Sequence, residues 1–167
     1  AGVNGTDPFR DMDVCVDALQ RRGFSGVQNF PTVGLIDEDS GFRQNLEETG
    51  MGYGEEVEMI RTASEKGMLT CPYVFSEEQA REMTEAGADV VVSHMGLTTS
   101  GDIGAETALD LPAAAERVQA HCDAAKAVNE DVMVICHGGP IAWPDDAEYV
   151  LDNTEGVVGF FGASSIE

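Results

Sequence analysis

Short apolar runs of strand length alternate with helix-period segments along the whole chain, and this alternation constrains the fold more than any other feature. The clearest runs are Asp89-Val90-Val91-Val92-Ser93-His94 and Val132-Met133-Val134-Ile135-Cys136. Neither shows the polar alternation of a half-exposed strand, so each reads as a strand covered on both faces, as in parallel sheets. The second run empties into His137-Gly138-Gly139-Pro140, and a later one, Val157 to Gly162, empties into Gly162-Ala163-Ser164-Ser165. Consecutive strands thus deliver an imidazole, glycines and hydroxyls to one rim, the arrangement by which parallel βα barrels hold anionic ligands.

The remaining units fall into order. After the stub Ala1-Gly2-Val3 and a loop from Asn4 to Pro8, a helix is expected to run to about Arg22, with Met12, Cys15, Val16 and Leu19 on one face. The strand Gly26-Val27-Gln28-Asn29 leads into a long insertion, Leu35 to Gly54, followed by a helix from about Glu55 to Lys66. The next strand, Leu69 to Val74, is interrupted by Pro72, and Ser76 with Gln79 opens a helix in a capping-box pattern. Helices from Pro112 to about Val128 and from Pro144 to Leu151 flank the later strands. Five full strands and one stub predict an α/β fold, a (β/α)8 barrel cut to about its last six βα units, lacking the first strands and the final helix. Residues 1–167 form a single partial-barrel domain in this reading; the alternative is an open doubly wound sheet.

Charge excludes some functions. With 31 acidic residues against 9 basic ones, the net charge is −22, which repels nucleic acid and anionic membranes. Lysine occurs only at Lys66 and Lys126 and the acids are spread along the chain, which points to a halophilic, salt-filled cytoplasm where screening is short-ranged; the alternative is a highly acidic mesophilic surface. No apolar stretch has the roughly 18 residues of a membrane span, so a cytoplasmic protein without membrane or nucleic-acid partners is expected. Cys15, Cys71, Cys122 and Cys136 are scattered and read as reduced thiols; strand alternation turns Cys136 away from His137.

Strand ends supply the candidate site: Asn4, Thr6, Asp7, Gln28, Asn29, Tyr73, His94, Thr98, Thr99, His137, Ser164 and Ser165. Gly138, Gly139, Gly162, Ala163 and Ser164 offer N–H groups to a small-molecule phosphate or carboxylate, or else simply make tight turns. His94 and His137 each end an apolar strand, as acid–base catalysts, as metal ligands, or as structural imidazoles bonded to a loop. His121, on a helix among Ala and Asp, reads as solvated. Asp7 suits a metal-bound carboxylate or a helix N-cap. Glu47 and Glu48 are a lid or dimer contact carrying an acid to the site, which leaves a homo-oligomer open, or a solvated turn. Thr98 and Thr99 are hydroxyl donors or ordinary loop residues.

The stretches Asn29-Phe30-Pro31-Thr32-Val33-Gly34-Leu35-Ile36-Asp37, Leu46-Glu47-Glu48-Thr49-Gly50-Met51-Gly52-Tyr53, His94-Met95-Gly96-Leu97-Thr98-Thr99, His137-Gly138-Gly139-Pro140-Ile141 and Gly162-Ala163-Ser164-Ser165 together resemble the phosphoenolpyruvate hydrolase-like TIM-barrel family. The resemblance covers essentially the whole chain. It implies a TIM barrel related to the phosphoenolpyruvate mutase and indole-glycerol-phosphate synthase groups, found alone, fused to a nucleotide-binding-like domain, or joined to enhancer-dependent transcriptional activators. By that resemblance the chain is an enzyme with hydrolase or lyase chemistry on a small phosphorylated or carboxylated carbonyl compound, or a non-catalytic sensor. Likeness to the mutase group implies Mg2+ on strand-end carboxylates, for which only Asp7 stands in place here.

Overall fold

The computed structural model describes residues 1–97 and 109–162. Its elements in chain order are β1 (Gly2–Val3), α1 (Met12–Arg21), β2 (Gly26–Asn29), a 3-10 turn (Val33–Leu35), α2 (Gly41–Glu48), α3 (Tyr53–Glu65), β3 (Leu69–Thr70), β4 (Tyr73–Val74), α4 (Glu77–Glu85), β5 (Val90–His94), α5 (Leu111–Lys126), β6 (Met133–His137), α6 (Pro144–Asp152) and β7 (Val157–Phe160). All strand pairs are parallel, in the orders β1-β2-β3 and β4-β5-β6-β7.

The two sheets share one strand position. Pro72 has no N–H to give to a ladder, so β3 and β4 are separated at Cys71-Pro72. Pairing nevertheless continues on both sides: the Cys71 amide donates to the Val27 carbonyl at 3.0 Å, and the Val92 amide donates to the Pro72 carbonyl at 2.9 Å. Each strand therefore lies beside its predecessor, with no reversal of order. A doubly wound sheet needs such a reversal, so the barrel-type curl is the architecture and the open-sheet alternative is excluded.

Alternation along β5 and β6 sorts side chains into two layers. Val91, Val134 and Cys136 are fully buried in the hydrophobic clusters under the helices, and Ser93 hydrogen-bonds His121 of α5. Val92, His94 and His137 therefore face the other way, toward the barrel interior. The expected divergence of Cys136 from His137 follows from this register, and burial pushes the Cys136 thiol up to about 11.

Three expectations change at this level. First, α1 begins at Met12 and not near Pro8, because Asp11 caps it by accepting from the Val14 amide at 3.2 Å. Second, the insertion contains a helix, α2, capped by Ser40, which accepts from the Arg43 amide at 3.1 Å. Only Phe42 and Leu46 are apolar there, too few for a stripe; the helix is anchored by its buried Arg43, which donates to the Val33 carbonyl at 2.8 Å and to Glu47 at 2.7 Å. Third, His121 is not solvated. It is 2% exposed, 2.8 Å from the Ser93 hydroxyl, and burial lowers its pKa to about 4. No helix among the described residues is long and apolar enough to cross a membrane.

Candidate functional site

Parallel strands bring their C-terminal ends to one rim, and the β5–β6 register sets His94 directly beside His137. Their ring centroids are 4.7 Å apart at 89°. Tyr73 of β4 completes the group: its ring stacks on His137 at 5.3 Å and meets His94 edge-on at 4.8 Å. Phe75 lies 4.8 Å from His94, and Phe161 lies 5.5 Å from His137. The imidazoles are 6% and 7% exposed, so water is largely replaced by aromatic faces.

Burial of this kind disfavours the imidazolium. The His94 pKa falls to about 3, chiefly through desolvation and secondarily through the neighbouring His137; desolvation lowers that of His137 also, opposed by its bond to the Phe161 carbonyl. Both rings are neutral near pH 7, and their hydrogen bonds fix opposite tautomers. The Gly96 amide donates to Nδ1 of His94 at 3.0 Å, so the proton of His94 sits on Nε2. Nδ1 of His137 faces the Phe161 carbonyl, which only accepts, so its proton sits on Nδ1 and Nε2 keeps a lone pair. Among the described residues neither Nε2 has a hydrogen-bond partner. One ring is thus a donor and its neighbour an acceptor.

Glycine makes this possible at two positions. Gly138 (φ +75°) lies so close to the Gly96 carbonyl and the His94 ring that a Cβ would fall 2.4 Å from the first and 3.2 Å from the second. Gly139 (φ +58°) packs on Met95 in the same way, and its amide donates to the Gly96 carbonyl at 2.9 Å. That bond corrects the expectation that the Gly139 amide is offered to an anion: the Gly-Gly turn locks the β5 and β6 loops together over His94.

Other expected site residues are placed differently. Asn29 is fully buried, and its amide is engaged at both ends: the Tyr73 amide donates to Oδ1 at 2.7 Å, while Nδ2 donates to Glu56 at 2.6 Å and to the Tyr73 carbonyl at 3.2 Å. These bonds tie it to β4 and α3. Glu48 is exposed at the end of α2, in a surface cavity with Glu38, Arg43, Gln44 and Glu47, not among the rings. Thr6 and Asn4 bond each other at the surface, and Gln28 donates to the Cys71 carbonyl. Gly162 follows β7 directly after Phe161; Thr98, Thr99, Ala163, Ser164 and Ser165 lie outside the described residues.

The acid that sequence reasoning missed is Glu56. It is 0% exposed and accepts from Asn29, from the Thr32 hydroxyl at 2.7 Å and from the Val33 amide at 2.7 Å; burial raises its pKa against these donors. A signal was present, because Glu56 sits inside the stripe Tyr53, Val57, Ile60 and Ala63, where a carboxylate survives only if partnered.

The mutase-like expectation of Mg2+ does not fit these residues. Asp7 is neither an N-cap nor a ready ligand: it accepts from the Phe9 amide and pairs with Arg10 at 2.9 Å. Glu56 is saturated by internal donors, and among the described residues no group of three or more His, Cys, Asp or Glu side chains is placed to hold a metal ion.

A sequentially ordered parallel βα sheet with its polar cluster at the C-terminal strand ends defines a domain of TIM-barrel type. The chain belongs to the phosphoenolpyruvate hydrolase-like family, which it matches over residues 1–167. It is 60% identical over 167 residues to the ToMV susceptible protein tm-1(GCR26) of Solanum lycopersicum, covering 100% of this chain and 22% of that protein. A putative transcriptional regulatory protein, y4pA of Sinorhizobium fredii, is 31% identical over 99% of this chain and 27% of its own length. The chain thus spans 22% of the length of the tomato relative and little more of the bacterial one. Among solved structures, a 2,3-dimethylmalate lyase of the PEP mutase/isocitrate lyase superfamily matches with a TM-score of 0.58 at 11% identity, over 96% of this chain and 55% of that one. A nitroalkane oxidase from Streptomyces ansochromogenes gives 0.51 at 17% identity, over 97% and 40%. Both are likenesses of fold alone.

Proposed function

We propose that this domain is an enzyme acting on a small phosphorylated or carboxylated carbonyl compound, with hydrolase or lyase chemistry that begins by proton transfer between the substrate and the imidazole pair. The observation that carries this reading is the pair of Nδ1 contacts, Gly96 amide to His94 and His137 to the Phe161 carbonyl, from which opposite tautomers follow. Nε2 of His137 takes a proton from the carbon beside the carbonyl; the C–H electrons move onto the carbonyl oxygen; Nε2–H of His94 donates a hydrogen bond to the enolate so formed. A neutral imidazole serves as such a donor when its pKa is far below ambient pH, because it stays uncharged yet polarised. Desolvation by the surrounding rings strengthens both contacts.

The relatives bear on the sensor alternative unevenly: the tomato proteins at about 60% identity are named for virus susceptibility or resistance, whereas y4pA at 31% is named a putative transcriptional regulatory protein and supports the sensor as the second reading. Membership of a family named for phosphoenolpyruvate hydrolysis supports a carbonyl or enol acid as the substrate class.

The test is a product assay by NMR with pyruvate, phosphoenolpyruvate and related acids, run in dilute buffer and in molar KCl because of the −22 charge. Turnover in the wild type and a loss of about 100-fold or more in His137→Asn, with binding retained, is expected. Undiminished turnover in both His137→Asn and His94→Asn overturns the proposal, and saturable binding without product returns the domain to the sensor class.

A further inference from the structure

The chain's few cations decide what kind of acid this mouth takes. It has 9 Lys and Arg in all, and none falls within 98–108 or 163–167. Arg21, Arg22, Lys66 and Lys126 sit at helix C-terminal ends, the opposite end of a parallel barrel from the imidazoles. Four others are paired: Arg10 with Asp7, the buried Arg43 with Glu47, Arg61 with Glu58 and Arg81 with Glu77. Arg117 of α5 is different: it has no hydrogen-bond or ion-pair partner among the described residues, and it lines a cavity of about 340 Å3 together with the segment 34–38, Phe75 and His94. His94, 6% exposed, brings to that cavity's wall an Nε2 with no hydrogen-bond partner among the described residues.

Two further features weigh against a phosphate. Barrels usually hold phosphate on helix N-termini, but among the described helices five of those ends carry their own carboxylates: Asp11 caps α1, Glu55 is in the first turn of α3, Glu77 in that of α4, Asp110 caps α5, and Asp145 is in the first turn of α6; α2, capped by Ser40, is the exception. The cavity wall itself holds Asp37 and Glu38 beside Arg117. Both carboxylates are folded back on the protein, Asp37 onto the Asp39 amide and Glu38 onto Gln79. A single negative charge facing a guanidinium fork tolerates that wall, whereas each extra charge meets repulsion without a second cation to offset it.

We propose that this cavity is a monocarboxylate subsite, in which Arg117 pairs with the carboxylate of a singly charged carbonyl acid whose carbonyl lies at His94, and which discriminates against phosphoesters. The inference rests on the imidazole pair being the reacting site, and it narrows that site's substrates to 2-oxo or 3-oxo monoacids.

Calorimetric titration with pyruvate, 2-oxobutanoate, inorganic phosphate and phosphoenolpyruvate tests it on the wild type, Arg117→Gln and Arg117→Lys. The monoacids are expected to bind at least about tenfold more tightly than either phosphate, to lose about tenfold or more in Arg117→Gln, and to recover part of it in Arg117→Lys. Equal or tighter binding of either phosphate, unchanged binding in Arg117→Gln, or no monoacid binding up to about 10 mM overturns the subsite. His94→Asn and His137→Asn separate the two claims. If they leave binding and product formation intact while Arg117→Gln abolishes binding, the subsite stands and the imidazole reading fails; if they abolish turnover while Arg117→Gln changes nothing, the reverse holds.

Discussion

Two buried polar clusters lie at the same end of this barrel, and they are built on opposite principles. Around Glu56, Asn29, Thr32 and the Val33 amide, every donor meets an acceptor within 2.6–2.7 Å. The cluster ties β2, the segment after it and α3 into one block, and through Asn29 it fixes the backbone of Tyr73. Around His94 and His137, only the Nδ1 atoms are engaged among the described residues, which leaves both Nε2 atoms in an aromatic enclosure. The first cluster has nothing to offer a ligand. The second has one donor and one acceptor, held in place partly by the first.

If that contrast is right, the Glu56 cluster carries stability and the imidazoles do not. Glu56→Ala leaves three buried donors unsatisfied and is expected to cost about 3–5 kcal/mol, read as a lower urea midpoint at unchanged slope. A cost under about 1 kcal/mol would break the comparison.

Acid titration gives the next largest effect. His94 and His121 have folded pKa values of about 3 and 4, and that of His137 is also lowered, against 6.5 in the unfolded chain. The unfolded state therefore binds more protons below pH 6.5, so stability is full above that value and is lost as pH falls toward the folded values. His94 and His121 each contribute a slope of about 1.4 kcal/mol per pH unit between pH 6.5 and their folded values, and His137 acts in the same direction. Urea midpoints between pH 7 and pH 4 measure it, and His121→Phe should remove one histidine's share; a flat profile refutes the neutral-ring assignment.

Gly138→Ala sharpens the contrast at the boundary between loop and site. The new Cβ meets the Gly96 carbonyl and the positive φ strains any L side chain, so about 1–3 kcal/mol is expected to be lost. The His94 ring must shift as well, so ligand affinity should fall alongside stability. Smallest is His137→Asn, expected to cost about 1 kcal/mol from the orphaned Phe161 carbonyl while lowering turnover about 100-fold or more. A larger stability loss with activity retained would make His137 structural.

Much of this was legible in the chain. The runs ending at His94 and His137 announced parallel strands by their β-branched continuity, and strand period alone sent Cys136 to the opposite face from His137. The Pro72 interruption and the Ser76 cap were equally local, since a missing N–H and a side-chain acceptor act within a few residues. Other features were not. The α2 helix has no apolar stripe to detect, because it is held by a buried guanidinium whose acceptors, the Val33 and Ile36 carbonyls, exist only once the preceding segment has folded.

Sequence by itself determined the alternation of elements, the glycine-bounded strand ends and the scarcity of cations, because each is a property of a single stretch or of composition. Only the tertiary structure decided which polar groups were satisfied. Glu56 rather than Glu48 became the buried acid, His121 turned inward to Ser93, the Gly139 amide went to Gly96, and the two imidazoles took opposite tautomers. The physical reason is that a hydrogen bond's partner is chosen by three-dimensional proximity between segments far apart in the chain, and a local pattern of residue types carries no information about that choice.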